Sequence, residues 1–189
     1  MSIPRTKRAM TPTVDGLEAR KLMTGDISMS SGIVHIVGDV AAYSNTLTVV
    51  YKDPSHSVME LSLFEDGKST VSDFNSADVR LIDFTGNGKA SNTFVNTTAA
   101  TDKASGGDGY NFFLATGSSD NTFKGGNGTN VFLDYGNGKN DYTGGNGFNV
   151  FIVGNGDSTL TGGTGVNYVV AGSGNDTITT GGTSYVWRM

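Results

Sequence analysis

The sequence predicts an all-β protein whose C-terminal half is a parallel β-roll or β-helix solenoid with about 18–19 residues per coil. Three observations lead there. Gly-Gly pairs at 106, 125, 144, 162 and 181 recur at intervals of 19, 19, 18 and 19 residues. Single glycines at 117, 136, 154 and 172 halve that period into units of about nine. Each unit carries one large apolar residue in the same phase: Phe113, Phe123, Phe132, Tyr142, Phe151, Leu160, Val169 and Ile178, with Trp187 expected to close the series. One such residue in nine is too sparse for a helix stripe or a globular strand. It suits a short strand that points a single side chain into a narrow coil. Glycine is then expected to supply the positive φ of each tight turn.

Composition divides the chain in three. Residues 1–26 hold five of the 13 basic residues (Arg5, Lys7, Arg8, Arg20 and Lys21) with little apolar periodicity, and read as a flexible basic leader without the apolar core of an ordinary secretory signal. Residues 27–103 read as strands that form N-terminal coils or a cap. Ile33–Val37 and Leu47–Tyr51 are β-branched and bounded by turn residues, Val58–Phe64 alternates, and Val79–Phe84 is a fourth run. Residues 75–82 suit at most a short turn, and residues 96–105 lack an apolar period and read as a loop. Residues 104–189 hold 21 of the 28 glycines and form the roll. Beyond the leader, 8 basic and 15 acidic residues make the folded part acidic. A net charge of −5 argues against generic nucleic-acid or anionic-lipid binding. No apolar run approaches a membrane span. The absence of cysteine excludes disulfides and thiol chemistry.

The repeat unit has a chemistry of its own. Gly162-Gly163-Thr164-Gly165-Val166-Asn167-Tyr168-Val169-Val170 is followed without a gap by Ala171-Gly172-Ser173-Gly174-Asn175-Asp176-Thr177-Ile178-Thr179. These residues resemble the glycine-rich nonapeptide repeats of RTX (haemolysin-type) proteins over residues 106–189 and, in decayed form, over 85–95. The resemblance implies a parallel β-roll of two short strands per coil, with Ca²⁺ held between stacked turns by a sixth-position Asp. Here the sixth positions read Asn111, Asn121, Asn130, Asn140, Asn149, Ser158, Asn167 and Asp176, so one of eight keeps the carboxylate. Calcium affinity depends on ligand charge, and a column of neutral amides forfeits most of it. An amide carries donor and acceptor together, so Asn111, Asn130, Asn149 and Asn167 are expected to bond coil to coil in a ladder that replaces the ions. Asp120, Asp141, Asp157 and Asp176 mark an acidic turn edge. Two readings stand there: solvated turn carboxylates, or one or two weak residual Ca²⁺ sites, with Asp157 and Asp176 the pair that would share an ion.

In the leader, Leu17-Glu18-Ala19-Arg20-Lys21-Leu22-Met23 resembles the Leu-Glu-Pro-Arg-x-Leu-Leu motif near the start of many exported planctomycete proteins, with Ala19 and Met23 departing from it. The resemblance implies export or surface display, hence an extracellular or cell-surface location.

In a simple roll the seventh and ninth positions point outward. On the single-glycine half-units these are mostly polar, from Thr122 and Lys124 to Thr177 and Thr179. On the Gly-Gly half-units they are Phe112, Leu114, Val131, Leu133, Val150, Ile152, Tyr168 and Val170, which form an apolar outer face. The strands of residues 33–84 are expected to lie across it, a wider coil being the other internal remedy. A self-association or partner surface is the alternative. The extra residues Ala115 and Asp134 are expected to bulge their half-units. His35 and His56 lack a ligand pattern, and no nucleophile elbow, zinc-protease motif or phosphate loop is present. The expected function is a non-catalytic exported or surface protein, structural or adhesive, with degenerate calcium sites. A calcium-dependent folding module and an ice- or glycan-binding solenoid face are the alternatives.

Overall fold

A computed structural model describes residues 25–39 and 41–189; the leader motif lies outside them. Strand makes up 57% of the structure and helix 2%, and stacked parallel coils form a β-solenoid of about six turns. The chain begins with a hairpin, β1 (Asp26–Ser30) and β2 (Ile33–Val37), closed by Ser31-Gly32 with φ of 51° and 77°. An antiparallel meander follows: β3 (Ser44–Tyr51), β4 (Val58–Glu65) and β5 (Lys68–Asn75). Asp66-Gly67 turns β4 into β5 with φ of 43° and 85°, the Asp-Gly hairpin chemistry in which both residues tolerate the left-handed region. One 3-10 turn, Ser76–Asp78, leads into the regular coils.

From there successive strands alternate between two sheets. Sheet A receives β6 (Leu81–Thr85), β8 (Thr101–Ser105), β10 (Thr122–Lys124), β12 (Asn140–Thr143), β14 (Ser158–Thr161) and β16 (Thr177–Thr179). Sheet B receives β7 (Ser91–Asn96), β9 (Tyr110–Ala115), β11 (Thr129–Asp134), β13 (Phe148–Ile152), β15 (Val166–Ala171) and β17 (Thr183–Arg188). Sheet A runs β1-β2-β6-β8-β10-β12-β14-β16, and sheet B runs β17-β15-β13-β11-β9-β7-β3-β4-β5. The antiparallel strands β1, β4 and β5 close the N-terminal end, where they bury Met59, Leu61 and Leu63. Down the axis two files of rings stack. Phe113, Phe132 and Phe151 follow one another at 5.2 and 4.8 Å, and Phe123 meets Tyr142 at 4.9 Å. Offset ring stacking adds to the area each ring buries.

Several expectations require correction. Residues 101–105 form a strand, because the backbones of β6 and β10 on either side supply its hydrogen bonds whatever its own propensity. The strands of residues 33–84 extend both sheets at one end and do not cover the apolar face. Ala115 and Asp134 cause no bulge: they are paired, inward-facing last residues of β9 and β11 in unbroken register. The last coil is shorter, so Val186 aligns with Val169 and takes the inward phase at the exposed end of the solenoid, while Trp187 aligns with outward Val170.

The glycines also act differently from expectation. Among the described glycines only Gly32, Gly67 and Gly88 have positive φ, and none of these lies in the regular coils from residue 106 onward. The turns of those coils stack backbone on backbone. A Cβ at Gly145 would collide with the Gly126 carbonyl of the preceding coil, and one at Gly144 would strike the side chain of Asn149. Close approach, not turn conformation, is what demands glycine there.

Candidate functional site

The alternation of each strand sorts side chains into columns, because neighbouring coils align residue on residue. The first inward column of sheet B is asparagine. Asn45 Nδ2 donates to Asn92 Oδ1 at 3.0 Å, Asn92 to Asn111 at 2.9 Å and Asn111 to Asn130 at 2.8 Å. Asn130 then donates to Asn149 at 2.8 Å and Asn149 to Asn167 at 2.9 Å. All six are fully buried. Each central amide also reaches its own turn: Asn130 Oδ1 accepts from Gly126 N–H at 3.2 Å, and its Nδ2 donates to the Gly126 carbonyl at 2.8 Å. One side chain therefore ties two coils and one turn together.

The acidic residues are spent on related bonds. Asp120 Oδ1 accepts the Lys139 N–H of the next coil at 2.7 Å, and Asp157 Oδ1 accepts that of Asn175 at 2.8 Å. Asp176 points inward, where its Oδ1 accepts the Ser158 N–H at 3.0 Å and its Oδ2, otherwise unbonded, lies 3.7 Å from the Arg188 guanidinium. Burial pushes its pKa up, and nearby Asp157 adds to the effect. Asp141 sits on the outer face of sheet A between Thr122 and Thr159, remote from that column. No three His, Cys, Asp or Glu side chains among the described residues converge where they could hold a metal ion. The donor set at the sixth positions, neutral amides bonded to one another or to backbone groups in six of eight, does not fit the carboxylate-rich shell the RTX resemblance implies.

A polar corner escaped the sequence reading. Asn96 Nδ2 donates to both carboxylate oxygens of Asp102, at 2.8 and 2.9 Å. The buried Tyr142 hydroxyl donates to Asp134, whose other oxygen accepts the Gly136 N–H at 2.6 Å. Burial, reinforced by Asp134 and opposed by Asn96, pushes the Asp102 carboxyl up to about 8. Burial and the same Asp134 charge raise the Tyr142 hydroxyl. Asn45 and Asn92 were likewise missed as ladder members. Their shared context, Ser44-Asn45-Thr46-Leu47 and Ser91-Asn92-Thr93-Phe94, was the available signal.

The two outer faces differ sharply. Sheet A presents His35, Asp83 and Lys103, with Asp83 3.9 Å from His35 and 3.7 Å from Lys103, then mostly threonine, with Thr143, Thr161 and Thr179 in register. His56 stacks on Tyr51 in a turn. On sheet B, Phe112, Val131, Val150 and Tyr168 form one aligned outward column, and Leu114, Leu133, Ile152 and Val170 form the next. The structure adds a third column, Tyr110, Thr129, Phe148, Val166 and Thr183, and extends the first two to Tyr185 and Trp187. These fifteen outward positions on β9, β11, β13, β15 and β17 include no charged residue. Nothing in the described residues covers them. Tyr168, Tyr185 and Trp187 stack at 4.9 to 6.2 Å. No helix among the described residues is long and apolar enough to cross a membrane. No family model, curated protein or solved structure matches this chain.

Proposed function

We propose that this chain is a non-catalytic structural or adhesive module of RTX-like repeat type, exported or displayed at a surface, that folds without calcium and adheres through the outer face of sheet B. The charge-free face of fifteen positions carries this reading. Contiguous exposed apolar surface of several hundred Å² is uncommon on monomers and marks interaction sites. The opposite sheet of the same coils keeps charge and threonine, so the asymmetry belongs to the face and not to the repeat. The amide ladder supports independence from calcium: it fills the column where the family's ions would lie and, from Asn92 to Asn167, satisfies its own polar groups. The resemblance of residues 17–23 to an export motif supports the location.

Retention on a phenyl-bearing matrix tests the adhesive reading. Loaded below the concentration at which copies associate, the folded protein should be held at moderate salt, and Val131→Lys combined with Val150→Lys should abolish retention while the far-UV circular dichroism spectrum stays unchanged. Wild-type monomer that runs through unretained would sink the proposal. Independence from calcium is read from thermal melts in chelator and in millimolar Ca²⁺. A ligand that binds only the folded state must raise the midpoint, so coincident curves are expected, and folding only with metal would overturn that half of the reading.

A further inference from the structure

Resting on the adhesive reading above, we infer that the occupant of the sheet B face is a second copy of this chain, packed face to face in a two-fold dimer. The geometry favours a flat, apolar partner. Five strands about 4.8 Å apart and three outward columns about 6.7 Å apart give a patch of roughly 500 Å² once side-chain width is included. Stable dimers bury about 800 Å² per partner, with an apolar core and a polar rim. The patch matches such a core in size, and the turns that flank it carry the asparagine and aspartate of a rim. Rings that stand proud supply anchors: Tyr110 is 46% exposed, Phe148 41%, Tyr185 45% and Trp187 51%.

Charge argues the same way. The chain carries a net charge of −5, so two copies repel through most orientations, yet across this face no charge meets another. A two-fold axis parallel to the solenoid supplies complementarity. It lays the tall outer column containing Tyr110 and Phe148 over the shorter column of Leu114, Leu133 and Ile152 in the partner, and sets the central column against itself. Facing sheets then pack at about 10 Å, as in a β-sandwich.

Sedimentation equilibrium of the full chain over a concentration series tests this. Wild-type protein should show twice the 19.7 kDa chain mass. Val150→Lys, and separately Tyr168→Glu, should return the monomer with an unchanged far-UV circular dichroism spectrum, while Thr159→Lys on sheet A should leave the dimer intact. The chain has no cysteine, so Val131→Cys alone should crosslink to its own copy with a short bis-maleimide. A wild-type monomer that the phenyl matrix still retains would overturn the second-copy inference and spare the adhesive reading. A monomer that is also unretained would overturn both. A dimer that survives Val150→Lys and Tyr168→Glu would place the interface elsewhere and overturn the inference.

Discussion

The two ends of this solenoid hold the same cross-section together by different means. At the N-terminal end, aliphatic side chains fill the interior: Val34, Ile36, Leu47, Val49, Leu61, Leu63 and Ile82 are buried, and antiparallel strands seal the end. In the glycine-rich coils each half-coil contributes one large apolar side chain, and the remaining inward positions are amides, small residues or acids bonded to the next coil. The change can be watched in one column of sheet A, which reads Val34, Ile82, then Asp102, Asn121, Asn140 and Ser158. The comparison teaches that a coil too narrow for a full apolar core can be held by hydrogen bonds when nearly all of its buried polar groups find partners, as the amides from Asn92 to Asn167 do.

The largest expected effect breaks the ladder. Asn130→Leu keeps the branched shape and the heavy-atom count of the side chain and adds apolar character, which would help an aliphatic core. Here it removes one bond each from Asn111 Nδ2 and Asn149 Oδ1, which keep partners in their own turns, and leaves both polar groups of Gly126 without their Asn130 partner. At about 1–3 kcal/mol for each group left unmade, the two Gly126 groups alone should cost about 2–6 kcal/mol. Leu61→Asn in the meander tests the converse, and Leu61→Ala sets the scale of an ordinary apolar loss at about 2–5 kcal/mol. Urea denaturation of the three variants checks both ends. An Asn130→Leu midpoint at or above wild type would mean that the ladder does not hold the coils.

Glycine separates the two regions next. Gly145→Ala pushes a methyl against the Gly126 carbonyl, a backbone atom that yields only if the coils part. The expected loss is about 1–3 kcal/mol or more, as for overpacking. Gly67 in the β4–β5 turn has φ +85° and open space around it, so Gly67→Ala pays only the conformational penalty, about 1 kcal/mol. Equal losses at the two sites, measured by thermal melting, would contradict the close-approach account.

What the sequence made legible follows from the same physics. Coil stacking places residues of equal phase in contact, so period, alternation and the outward apolar columns can be read directly from spacing. The phase of Trp187 could not, because the ladder column steps only 17 residues from Asn167 to Ser184 in the last coil. Asn45 was hidden because the meander separates it from Asn92 by 47 residues. Strand β8 was hidden because Thr101-Asp102-Lys103-Ala104-Ser105 has little strand propensity and borrows its conformation from its neighbours. The role of the repeat glycines lies in contacts between coils, which no local window contains. The uncovered face turned on where the N-terminal strands lie, a matter of topology that alternation does not encode.

The sharpest test of the handover between regions lies at Asp102, where the effect vanishes near pH 4 and grows with pH. It is the first polar residue of its column, and Asn96, Asp134, Asn121 and Tyr142 surround it with no cation among them. Its carboxyl titrates at about 8 in the folded chain against 3.8 as a free side chain. Between those values the unfolded state binds fewer protons than the folded one, so stability is full below pH 4, declines as pH rises toward 8 and levels off beyond. Asp102→Asn keeps an acceptor for Asn96 and cannot ionise. It should leave the melting temperature near pH 4 unchanged and raise it by several degrees at pH 8–9, flattening the profile. A variant whose profile parallels wild type across that range would show that Asp102 is ionised inside the fold, and that the polar interior tolerates a charge where the aliphatic end would not.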